Sequence, residues 1–238
     1  MSGQRLARDP QRGQAVYEFA ILVPLFLLIL LGLLEFGFVF NHDLTIEYAT
    51  REGARTGAAL ANGSGTDSAC VDASGNPTSL TASDVDPLII AAVQRVLESP
   101  GSLVKLSNIT QVVIYKADAS GQDTGTHNVW TYAPLAGPPV PCEAKPPNLD
   151  FKETTHGWDV CGSLGNSSLE EPCGAGGTMT YARDNVTPDH LGVSITYNYQ
   201  FITPLGAAMN LAAHATGSAW SGLTITDNTV MALEPTAN

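Results

Sequence analysis

The hydrophobic pattern changes period along the chain. From Phe19 to Leu34 sixteen residues pass without a charge. As helix they extend only ~24 Å, short of a ~30 Å hydrocarbon core. Adding Glu35 and Phe36 to Phe40 gives twenty-two residues and ~33 Å, enough to span. Past the run, Phe36, Phe40, Leu44 and Tyr48 recur four apart. Glu47 and Arg51 stand in the favourable i,i+4 order. Asn62-Gly63 supplies a stop. The pattern predicts one helix from about Val16 to Ala61, ~69 Å long. Pro24 removes one backbone bond and should kink or loosen that helix locally.

Beyond it, residues 62–82 are rich in Gly, Ser, Thr, Asn and Asp and predict a loop. Ser83 can cap a second helix to about Glu98, with Val85, Leu88, Ile89, Ala92, Val93, Val96 and Leu97 on one face. Asn108 to Lys116 is strand-like. Residues 118–190 are poor in periodicity and predict an irregular insertion, which in a compact domain calls for staples. Val193, Ile195, Tyr197, Tyr199 and Phe201 alternate with polar residues, the period of a half-buried antiparallel strand. Pro204-Leu205-Gly206 leads into a short Ala-rich helix or turn to about Ala213. A last strand runs from Leu223 to Leu233, and its phase wavers at Asp227-Asn228, predicting a bulge or turn. The class expected is α+β: a long N-terminal transmembrane helix, and a second helix packed on a small antiparallel sheet. The expected divisions are a leader at 1–13, the transmembrane and extended helix at 14–61, and a globular domain at 62–238.

Charge gives this layout a direction. The formal net charge is −12. Residues 1–40 balance Arg5, Arg8 and Arg12 against Asp9, Glu18 and Glu35, so the rest of the chain carries all of it. An acidic domain repels nucleic acid, which excludes DNA and RNA as expected partners. Basic residues precede the apolar run, so the positive-inside rule puts the N-terminus in the cytoplasm and the large domain outside. A cleaved secretory signal would need small residues just past the run. The chain there reads Phe36-Gly37-Phe38-Val39-Phe40-Asn41-His42-Asp43, and the first A-x-A is Ala59-Leu60-Ala61. The segment is therefore expected to stay attached, at the least as a signal anchor. Four cysteines, Cys70, Cys142, Cys161 and Cys173, all follow it. None shows the C-x-x-C spacing of zinc or redox sites. Four cysteines allow three pairings. Cys161 with Cys173, flanking a short Gly-rich loop, and Cys70 with Cys142 are the expected disulfides, which suit an oxidising compartment.

Catalytic patterns are missing from the sequence. His42, His127, His156, His190 and His214 are scattered, without an H-E-x-x-H or similar pair, and each is expected on the surface or in a loop. No nucleophile elbow, phosphate loop or dinucleotide fingerprint occurs. Asp118 with Asp123, and Asp184 with Asp189, could offer loop oxygens to calcium, but turn formation is the simpler role. No enzyme activity, cofactor or metal is expected.

One stretch carries more specific information. Arg12-Gly13-Gln14-Ala15-Val16-Tyr17-Glu18-Phe19-Ala20, then Pro24, Glu35-Phe36-Gly37 and Ala49-Thr50-Arg51-Glu52-Gly53-Ala54-Arg55, resembles the TadE-like family. These are minor, pilin-like components of tight-adherence (Flp) type IV pili. The tail, Val193 to Phe201 and Met231-Ala232-Leu233-Glu234-Pro235, is similar to that family's closing strands. The resemblance implies a pilin-like fold and cleavage by a prepilin peptidase on the cytoplasmic side, between Gly13 and Gln14. Gly13 has no side chain to obstruct the protease. Glu18 would become the fifth mature residue, where pilins carry a glutamate. A carboxylate entering hydrocarbon costs at least a few kcal/mol and should pair. The new α-amine of Gln14 in a neighbouring subunit is a natural partner. Glu35 either marks the outer membrane interface or pairs with another minor pilin, and the interface is the expected role. The Arg51–Arg55 segment is either a bend that docks the globular domain or a solvated helix end.

The resemblance further implies as partners other minor pilins, the major Flp pilin and the inner-membrane assembly platform. The chain would sit in the inner membrane as a single-pass protein, and could enter the pilus. The competing expectation is a signal-anchored binding module or adhesin outside any pilus. A tethered hydrolase is a third, without catalytic residues to support it.

Overall fold

A computed structural model describes residues 11–61, 71, 74–76, 82–143, 146–158, 190–215, 217 and 222–232. The described elements are three α-helices, a 3-10 turn and five strands. They divide into two compact units: Met1–Phe40 with Gln200–Gly222, and Asn41–Tyr199 with Leu223–Asn238.

Helix α1 (Gln11–Ala61) is unbroken over 51 residues, ~77 Å. Its first described residue, Gln11, lies within the expected leader, five residues before Val16, and the predicted stop at Asn62-Gly63 lies outside the described residues. Pro24 lies inside it. The first unit consists of the N-terminal part of α1 and the segment bearing helix α3 (Leu205–Ala215).

The second unit holds the remainder of α1, helix α2 (Ala82–Leu97) and a fully antiparallel sheet. Its strands are β1 (Ile109–Ala117), β2 (Asp123–Tyr132), β3 (Phe151–Thr155), β4 (His190–Tyr199) and β5 (Leu223–Ala232), in the order β3-β2-β1-β4-β5. β4 follows the predicted alternation: Leu191, Val193, Ile195, Tyr197 and Tyr199 are buried on one face. α2 buries Val85, Ile89, Ala92, Val93 and Leu97 as its spacing predicts. Ile89 and Val93 contact α1 at Gly53.

Two expectations are corrected. The stretch 118–190 is more regular than its composition suggests, because β2, β3 and the start of β4 lie in it. Residues 159–189 lie outside the described residues. β5 has no bulge at Asp227-Asn228. Its register with β4 is continuous from His190↔Ala232 to Tyr199↔Leu223. The period of two persists there, and only the chemistry changes, since Asp227 sits on the helix-facing side in phase with Ile225 and is bonded to α1.

Candidate functional site

α1 positions the residues singled out in the sequence. Gly13 and Gln14 lie in its first turn and Glu18 about one turn on. Gln14 Nε2 donates to Glu18 Oε1 at 3.0 Å, with both residues exposed. At i,i+4 they share one face.

Beyond Glu18 the helix surface is apolar and bare. Phe19, Leu25, Phe26, Leu33 and Phe36 are each more than half exposed. Residues Gln14–Leu60 have the length and composition to cross a membrane. So large an apolar surface needs lipid or other helices to cover it.

Glu35 does more than stand at the end of an apolar run. It is 2 % exposed. Oε1 accepts from the Ile202 amide and Oε2 from the Thr203 amide, each at 2.9 Å. Thr203 Oγ1 in turn accepts from the Leu205 amide at 3.3 Å, at the entry to α3. Two amides that would otherwise lack a partner meet a carboxylate that could not stay buried unbonded. The cue in the sequence was the charge inside an apolar run; its partner is 167 residues away.

Farther along, α1 docks in the second unit through small and polar residues. Ile46, Ala49 and Ala54 are buried. A Cβ on Gly57 would come within 2.1 Å of Leu191 and 2.7 Å of Ile89, and one on Gly53 within 2.7 Å of Val93. The absence of a side chain allows the close approach. Thr50 Oγ1 donates to Asp227 Oδ2 and lies 3.1 Å from Thr229 Oγ1. The Arg51–Arg55 segment thus docks as helix. Its charged residues face outward: Arg51 pairs with Glu47, and Arg55 grips both oxygens of Glu52 at 2.9 and 3.0 Å. Exposed pairs of this kind add little stability.

The histidines divide. His42 is a correction, since it is buried on α1 with its ring centroid 5.4 Å from Tyr197 and 5.0 Å from Tyr199. Burial pushes the Tyr197 phenol up, against the pull of bonds to the Lys105 backbone and the Asn108 side chain. His127 bonds Asp123 at 2.9 Å and His156 bonds Glu153 at 2.8 Å. The Asp118 carboxylate closes the β1–β2 turn. Its Oδ1 accepts from the Ser120 hydroxyl and from the Ser120 and Gln122 amides at 2.7 to 2.9 Å, which holds the carboxyl below its ordinary range. Asp184 and Asp189 lie outside the described residues. So do Cys70, Cys161 and Cys173, and with them the expected pairings. Cys142 is disulfide-bonded.

The model of the family described as TadE-like protein matches residues 13–55. The match begins at Gly13, takes in Gln14, Glu18 and Glu35, and ends two residues before Gly57. No curated protein and no solved structure matches the chain.

Proposed function

We propose that this protein is a minor pilin-like component that takes part in the assembly, initiation or capping of a tight-adherence type IV pilus, after a prepilin peptidase cuts between Gly13 and Gln14. The observation that carries this reading is the family match over residues 13–55, on a segment that places Gly13, Gln14 and Glu18 on the opening turns of one bare apolar helix. The cut frees an α-amine at Gln14, with a reference pKa of about 7.7–8.0, protonated in most molecules at neutral pH. In the uncut chain the Gln14 amide bonds Glu18. In the assembled state the α-amine of a neighbouring subunit takes that carboxylate, and so selects processed subunits. The exposed face from Phe19 to Phe40 packs against lipid before assembly and against other pilins, the major Flp pilin among them, afterwards. The inner-membrane platform delivers it. The basic leader supports a cytoplasmic N-terminus, and the disulfide at Cys142 supports an oxidising compartment for the domain.

Glu18→Ala tests the pairing in a host with an active pilus system. Cleavage should proceed, while the variant disappears from the sheared pilus fraction. Normal pili containing Glu18→Ala would contradict the pairing.

A second reading, a binding module, draws on one feature. A depression of about 420 Å³ on the sheet face opposite α1 is lined by Gln111, Tyr115, Ser194, Thr196, Thr226 and Asn228. It predicts that the chain binds a polar ligand without any pilus machinery, with binding lost in Thr196→Val. The two readings are compatible, since a pilus component can also bind.

A further inference from the structure

Residues 200–222 contain no Asp, Glu, Lys or Arg, in a chain of net charge −12. They surround α3, whose sequence is LGAAMNLAAHA. Asn210 and His214, four apart, make one polar stripe, and Leu205, Met209, Leu211 and Ala212 lie around the rest of the circumference. Little of this is covered by the described residues. Ile202 is 55 % exposed and Leu211 75 %. Eleven residues make ~17 Å of helix, too short to span a bilayer. A helix of that length is also marginal in water by itself.

Glu35 fixes the level of this helix. Its two oxygens hold the Ile202 and Thr203 amides, at the entry to α3. Glu35 precedes Phe40, the end of the apolar run, by five residues, ~8 Å along the axis. Amphipathic helices that lie on membranes bury their apolar face ~5–10 Å into the boundary of headgroups and acyl chains. The entry to α3 is therefore tied to α1 at that depth. α3 and the bare surface of α1 belong to one compact unit.

We propose that α3 is an interfacial membrane helix, a second lipid contact beside the span, at the leaflet where α1 leaves the bilayer. Its ligand is the lipid surface, taken up through apolar burial without charge attraction. This rests on the reading of α1 as a membrane span. Lipid is favoured over a protein partner because α3 offers no charged anchor and continues a surface already suited to acyl chains.

Full-length protein in phosphatidylethanolamine–phosphatidylglycerol vesicles with brominated acyl chains tests it. Leu211→Trp and Met209→Trp report on α3, and Phe26→Trp reports on the span. Each is read as the emission added to that of the wild type. Bromines near the headgroups should remove about half of the emission of Leu211→Trp and Met209→Trp, as expected at interfacial depth, and bromines near the bilayer centre should remove less. Phe26→Trp should show the reverse order. If Phe26→Trp is quenched and both α3 reporters are not, the interfacial helix is refuted and the span stands. If Phe26→Trp is not quenched, the span fails and the inference with it. Shielding of the α3 reporters from aqueous acrylamide that vanishes on dilution into excess lipid would mean that a second copy covers α3, which also overturns the proposal.

Discussion

Glu35 gives the sharpest quantitative test of how the chain is held at the membrane level. Its carboxylate is 2 % exposed and accepts two amides at 2.9 Å. A hydrogen bond to a charged group contributes about 1.5–3 kcal/mol net, and a buried donor left without a partner costs about 1–3 kcal/mol. Glu35→Gln keeps one acceptor and turns an NH2 toward the other amide. One bond is lost and two donors face each other, for about 1–3 kcal/mol of local stability. Glu35→Ala removes both acceptors and should cost more, about 2–6 kcal/mol for two stranded amides. Each 1.4 kcal/mol is a factor of ten in the local opening equilibrium. Amide hydrogen exchange on the full-length protein in lipid nanodiscs reads this directly. Protection at Ile202 and Thr203 should fall roughly ten- to hundred-fold in Glu35→Gln and further in Glu35→Ala. Amides of β4 and β5, such as Ile195 and Ile225, should not change. Exchange at Ile202 and Thr203 within twofold of wild type in both variants would refute the account of Glu35.

Two further outcomes follow from the same geometry. Thr50→Val takes the donor from Asp227 and should cost about 1–3 kcal/mol, a fall in Tm of ~3–10 °C; Thr50→Val with Asp227→Val together should recover part of it, because the carboxylate is then removed along with its donor. The Asp118 carboxyl is held low mainly by the Ser120 hydroxyl. A carboxyl depressed in the fold contributes stability above its unfolded value and loses it as pH falls through the folded one. The amide resonances of Ser120 and Gln122 should therefore titrate together, with a midpoint below that of an ordinary aspartate, and should lose that transition in Asp118→Asn.

What could be read in the sequence was carried by apolar periodicity. β1 and β4 bury the apolar positions that spacing assigns them, and α2 buries five of its seven; on α1 the row Phe36, Phe40, Leu44 and Tyr48 is exposed, and the buried face is Ile46, Ala49, Thr50 and Ala54 instead. β2 escaped because one of its inward positions is Asn128, whose amide donates to Asp86 Oδ2 and the Trp158 carbonyl and accepts from the Gly157 and Trp158 amides. A buried asparagine with its partners met can occupy a core position, but it does not show in the apolar alternation as a leucine would. The doubt over β5 has the same origin in Asp227. The burial of His42 and the partners of Glu35 escaped the sequence because those partners are distant in it: two tyrosines of β4 for one, two backbone amides before α3 for the other. The Gly13, Gln14 and Glu18 motif could be picked out because its spacing is local, within two turns of helix.

That motif is where the account is most exposed. Mass spectrometry of the protein recovered from its native membrane should find a mature chain that begins at Gln14, either as the free amine or cyclised with loss of ammonia. The same protein from a strain lacking the prepilin peptidase should keep its leader. A chain that keeps residues 1–13 in the presence of an active peptidase would contradict the central claim.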